Sequence, residues 1–142
     1  MRSLIGSTRQ RGSTMIEASL VLTVSLMTFI GIIDIGSVMF RLQGLTERAR
    51  AGARWGVVNS YNANSIRNVV VYGNSAGSGA PLLNLTTSVV LVSQVDLGDG
   101  VSKIEVRIEN YPFTFFTPFI SGANTLPRIE ASMSTESLGA TS

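Results

Sequence analysis

The chain has 142 residues, room for one small domain beside any membrane segment, and is 44% hydrophobic but only 14% charged. It contains no cysteine and no histidine, which excludes disulfides, thiolate chemistry, His-ligated metals and every nucleophile–histidine arrangement. The formal charge is +2, yet Arg2, Arg9 and Arg11 all precede Gly12; beyond it eight basic side chains face nine acidic ones, poor support for nucleic-acid binding.

The first element is apolar. Between Arg11 and Arg41 only Glu17 and Asp34 carry charge, no proline intervenes, and Ala18 to Ile33 is uninterrupted by charge. At about 1.5 Å per residue, Met15 to Phe40 as a helix spans roughly 39 Å, more than the ~30 Å hydrocarbon core of a bilayer. A lone segment in lipid must satisfy its own backbone, so it must be a helix. The pattern predicts a transmembrane helix over residues 13–40, preceded by a basic leader, 1–12. A secretory signal peptide is the competing reading, but the run is long and no A-x-A-like site follows it. Charge counting does not orient the helix, because Arg41, Arg48, Arg50 and Arg54 outnumber the leader's three arginines.

Residues 41–58 continue the helix into water. Leu45, Ala49, Gly52, Ala53 and Gly56 recur at helical spacing and form a stripe of mostly small residues. Such a stripe admits a close backbone, either from a partner or from the protein's own sheet; the sequence leaves both open. Glu47, Arg50 and Arg54 lie on another side, read as a solvated face rather than a ligand site. Asn59 to Asn64 is a break. Ile66, Val69 and Val70 fit a short helix, although Val69 to Tyr72 is also a β-branched strand pattern. Residues 73–81, GNSAGSGAP, are a loop; no Lys follows the glycines, so no phosphate loop is indicated.

Strand signals come next. Ser88 to Val95 is valine-rich, and Asp96-Leu97-Gly98-Asp99-Gly100 supplies a turn, with glycines available for positive φ. Asp96 and Asp99 are too few oxygens for calcium. From Val101, Ile104, Val106 and Ile108 alternate with Lys103, Glu105, Arg107 and Glu109, predicting a strand over 101–110 with one face buried and the other in water, hence antiparallel sheet. Arg128 to Thr135 alternates likewise, with Ile129, Ala131 and Met133 inward. Between them Tyr111 to Phe119 carries four phenylalanines, suited to capping a small core or to exposing an apolar patch for a partner. The first is the more economical use of a small domain.

No nucleophile with a base, no paired carboxylates with a cleft and no metal constellation is legible. Lys103, the single lysine, falls on a strand's polar face. The chain reads as a non-enzyme, with no cofactor and no small-molecule substrate. Its fold class is α+β: a long N-terminal membrane-spanning helix running into a small β-rich domain at 59–142.

Gly12-Ser13-Thr14-Met15-Ile16-Glu17 resembles the processing site of type IV prepilins, in which a membrane peptidase cuts after the glycine on the cytoplasmic side. With Gly31-Ile32-Ile33-Asp34-Ile35-Gly36, Thr46 to Gly56, Ile66 to Asn74 and Tyr111-Pro112-Phe113, the chain resembles TadE-like pseudopilins of the Tad (Flp, type IVb) pilus system. Family members often carry Tyr where Ala18 stands. The resemblance implies cleavage between Gly12 and Ser13, a role for Glu17 in assembly or peptidase recognition, and helix packing at Gly31, Asp34 and Gly36. It implies a bacterial inner-membrane protein with its leader in the cytoplasm and its C-terminal domain periplasmic or extracellular. Implied partners are the prepilin peptidase, the major Flp pilin, a TadF-like pseudopilin and the Tad assembly platform. The alternative is a membrane-tethered binding or adhesin module without a filament role; the five-residue spacing from Gly12 to Glu17 argues against it.

Overall fold

A continuous helix, α1 (Thr8–Val58), opens the computed structural model, which describes residues 8–98, 100–117 and 124–135, with side chains from Gly12 onward. The chain is already helical at Thr8, the first described residue, several residues before the apolar run. In its first half, four hydroxyls turn back onto the helix's own carbonyls. Ser19, Thr23 and Ser25 donate over 2.8 Å and Thr28 over 2.9 Å, so these polar groups do not face an apolar solvent unpaired. The helix ends where Asn59 donates both its backbone and its side-chain N–H to the Trp55 carbonyl, each at 3.0 Å.

Helix α2 (Ala63–Tyr72) follows the asparagine-rich break. Asn62 caps it, its Oδ1 accepting from the N–H groups of Asn64 and Ser65 at 3.0 and 3.1 Å. Gly73, at φ 81°, closes the other end with an N–H to the Val69 carbonyl. Val69, Val70 and Val71 are therefore helical despite their β-branching. Burial against α1 outweighs a propensity difference of less than about 1 kcal/mol per residue.

Five strands follow among the described residues: β1 (Val90–Gly98), β2 (Val101–Ile108), β3 (Pro112–Phe113), β4 (Asn124–Thr125) and β5 (Ile129–Ser134). The main sheet is antiparallel in the order β1-β2-β5, with Val92 opposite Val106 and Val106 opposite Ala131. Strand β1 begins at Val90 rather than Ser88 because Thr87–Val89 forms a 3-10 turn. Strand β2 stops at Ile108, short of the expected residue 110, and Asn110 takes a left-handed φ of 55°. The β1–β2 turn uses Gly98 and Gly100 at φ 86° and 77°, and Asp96 accepts the Gly98 N–H at 3.0 Å. Asp99 lies outside the described residues.

One face of the sheet is covered by α1 and α2. Leu45, Ala49 and Ala53 of α1 meet Ile66, Val70 and Val71 of α2, with Ile104, Val106 and Ile108 of β2 and Ile129 and Ala131 of β5. The small-residue stripe thus packs on the protein's own domain. A Cβ on Gly56 would stand 2.8 Å from Ile66 Cδ1, and one on Gly52 would collide with a Val70 methyl. The opposite face departs from the alternation in one respect. Period 2 assigns Glu105 to water, but the residue is only 7% exposed. It sits on the central strand, covered by Lys103 at 3.7 Å, Arg107 at 2.5 Å and Ser93 at 3.4 Å.

Candidate functional site

The sequence concentrates its distinctive residues on α1, and the structure divides them into two groups. Gly12, Ser13 and Glu17 belong to the first. All three are exposed on an unbroken helix, and Glu17 shares a shallow face with Thr14, Ala18, Val21, Leu22 and Ser25. Arg9 and Arg11 have no described side chains, and Arg2 lies outside the described residues. A Cβ built on Gly31 or Gly36 would meet nothing within 4 Å, so the described residues supply no packing partner for either glycine.

Asp34 is the centre of the second group. It is 5% exposed on a helix whose preceding stretch is bare. What covers it is the excursion between β2 and β5. Tyr111 and Leu126 anchor the base of that excursion in the core, joined by the Leu126 N–H to the Tyr111 carbonyl at 3.0 Å. Strands β3 and β4 pair Pro112 with Thr125 and Phe113 with Asn124. The segment then reaches α1. Oδ1 of Asp34 accepts the Phe116 N–H at 2.7 Å, and Oδ2 accepts the Thr117 N–H at 3.0 Å and the Thr117 hydroxyl. A buried carboxylate without donors is costly; two backbone amides and a hydroxyl offset that cost.

The aromatic run is therefore divided in use. Tyr111 is buried, Phe113 packs against the core and meets Phe115 edge-on at 4.9 Å, while Phe116 is 71% exposed. Pro118 and Phe119 lie outside the described residues. Sequence reasoning missed the Phe116–Thr117 clasp altogether. The available signal was Asp34 itself, since a carboxylate in an apolar helix needs donors from somewhere.

Arg48 was also missed. Its guanidinium lies beside Gly73, so that a Cβ there would be 2.5 Å from Nη1. A cation at the C-terminal end of α2 is favourably placed against that helix's dipole. Arg50 instead pairs with Glu47 at 3.1 Å on an exposed face, as the spacing predicts. On the sheet's outer face Lys103, Arg107 and Arg128 interleave with Glu105, Glu109 and Glu130. The Glu130 hydrogen bond and its negative charge push Arg128 up. The two signs balance, so this face forms no basic patch. Among the described residues, no group of three or more Asp or Glu side chains is placed to hold a metal ion.

α1 is long and apolar enough to cross a membrane, and its apolar window is not buried inside the chain. These features fit a single-pass membrane protein. The family model described as TadE-like protein matches residues 12–54, from the Gly12 junction to the end of the arginine-rich segment. No curated protein and no solved structure matches the chain.

Proposed function

With residues 12–54 forming a TadE-like segment, we propose that this Tad pilus-associated chain is a minor pseudopilin that supports assembly of Tad (Flp, type IVb) pili. A prepilin peptidase removes residues 1–12 on the cytoplasmic side, and the β-rich domain works outside the inner membrane. The protein is not an enzyme; the chemistry is done to it. Its partners in this reading are the peptidase, the major Flp pilin, a TadF-like pseudopilin and the assembly platform.

The observation that carries the reading is the coincidence at Gly12. The family match begins there, the basic leader ends there, and Glu17 follows five residues later on an exposed face of α1. An ordinary membrane anchor has no need of a carboxylate at that place, where it carries a cost. The testing experiment is mass spectrometry of the protein extracted from membranes of cells that contain the peptidase. Ser13 should be the N-terminus, and Gly12→Arg should leave residues 1–12 attached. An intact leader in the unmutated protein would favour a tethered binding module instead.

A further inference from the structure

The clasp at Asp34 ties the β-rich domain to one level of α1. From Gly12 to Ile33 the helix is nearly all exposed and carries one charge, Glu17, near its start. These 22 residues rise roughly 33 Å at about 1.5 Å each, close to the ~30 Å of a hydrocarbon core. Asp34 is the next residue, so a crossing that uses residues 12–33, rather than the full 13–40 of the apolar run, places Phe116, bonded to Asp34 through its amide, at the far hydrocarbon boundary. Phe116 is nevertheless 71% exposed.

The helix beyond Asp34 agrees. Arg41 is the first cation after Arg11, and it shares a cleft with Pro112, Phe113 and Thr114. It lies about 10 Å beyond Asp34 along the axis, at the outer edge of a headgroup layer that extends roughly 5–7 Å past the core. An apolar ring at the boundary with a cation farther out is the arrangement that an interfacial lipid surface rewards.

We propose that Phe116 forms an interfacial foot that seats the β-rich domain on the face of the bilayer from which α1 emerges into it. Its occupant is the headgroup–acyl boundary of the lipid, and Asp34 and Thr117 are positioning residues that hold the loop at that depth. The foot rests on the membrane crossing alone and is independent of any role in pili.

The test uses the full chain in phosphatidylcholine–phosphatidylglycerol vesicles. Trp55→Phe removes the single native indole, and Phe116→Trp places one on the foot. Its emission should be blue-shifted and quenched more by lipids brominated near the carbonyl end of the acyl chain than by lipids brominated near the terminal methyl. Val24→Trp in the same background should show the reverse order. Adding Asp34→Ala or Thr117→Val to Phe116→Trp should weaken the shallow quenching. A Phe116→Trp indole that emits as in water and is not quenched overturns the foot, as does one shielded only at high protein-to-lipid ratio, which would mean a second copy covers it. Shallow quenching unchanged by both clasp variants overturns the role given to Asp34 and Thr117. Failure of Val24→Trp to respond to deep bromines would overturn the crossing itself, and with it the foot.

Discussion

Gly56 of α1 lies so close to Ile66 of α2 that a Cβ on the glycine would stand 2.8 Å from Ile66 Cδ1 and 3.1 Å from Ile104 Cγ2 of the sheet. One hydrogen side chain thus lets a helix, its neighbour and a strand meet at a point. Gly52, one turn earlier, meets Val70, whose branched Cβ leaves it few rotamers to escape into. Gly56→Leu should therefore lower the stability of the domain by about 1–3 kcal/mol through overpacking. Gly52→Ala should also destabilise, even though alanine favours a helix by about 1 kcal/mol. Thermal unfolding in detergent, followed by loss of near-ultraviolet ellipticity, checks both; an unchanged midpoint for Gly52→Ala would contradict the packing.

Gly31 and Gly36 make the opposite case. None of the described residues approaches a Cβ at either position, so Gly31→Ala and Gly36→Ala should leave the isolated protein as stable as before or slightly more stable. If these glycines pack a neighbouring helix, as in small-residue interfaces within membranes, the same substitutions should reduce piliation. Paired measurement of thermal midpoint and pilus number in one strain separates the two roles. Normal pili with Gly31→Ala and Gly36→Ala would remove the packing role.

Asn62 gives α2 its start. Its side-chain oxygen accepts two of the helix's unpaired amides, so Asn62→Ala should cost about 1 kcal/mol and Asn62→Asp much less. Hydrogen exchange at Asn64 and Ser65 should quicken in the alanine variant and stay slow in the aspartate one.

How far these relationships are visible in the sequence follows from their range. The switch from helical spacing to alternation locates α1, β2 and β5 because each pattern is written within its own element. The small-residue stripe shows that something packs on Leu45 to Gly56, but a stripe has no address, and only the fold assigns α2 and the sheet to it. Glu105 shows the limit of alternation. Period 2 gives the face a side chain takes, while the neighbours of a central strand decide whether water reaches it. Asp34 is the extreme case, since its partners lie 82 and 83 residues away on a segment with no regular period. The helix packing that the resemblance implies for Asp34 carries no hint of these partners, because nothing in the helix itself points to them.

Glu17 is exposed near the start of α1 and has no such clasp among the described residues. Placing a carboxylate at the centre of a membrane helix costs about 2.5–3.5 kcal/mol on insertion scales, and less near the interface where residue 17 would lie. If residues 1–12 are removed, Glu17 comes within the first turns of the new helix, where the N-terminal end stabilises negative charge. Removal also frees an amine at Ser13, and in prepilins that amine is held to meet the glutamate of a neighbouring subunit. An opposite charge of good geometry would offset the desolvation of the carboxylate. Glu17→Ala is therefore expected to insert and to lose its leader normally while failing to support surface pili. Immunoblots for leader loss and pilus counts by electron microscopy in the same strain make the comparison. Normal piliation would end the assembly role, whereas an uncut Glu17→Ala protein would show that the peptidase itself reads the glutamate.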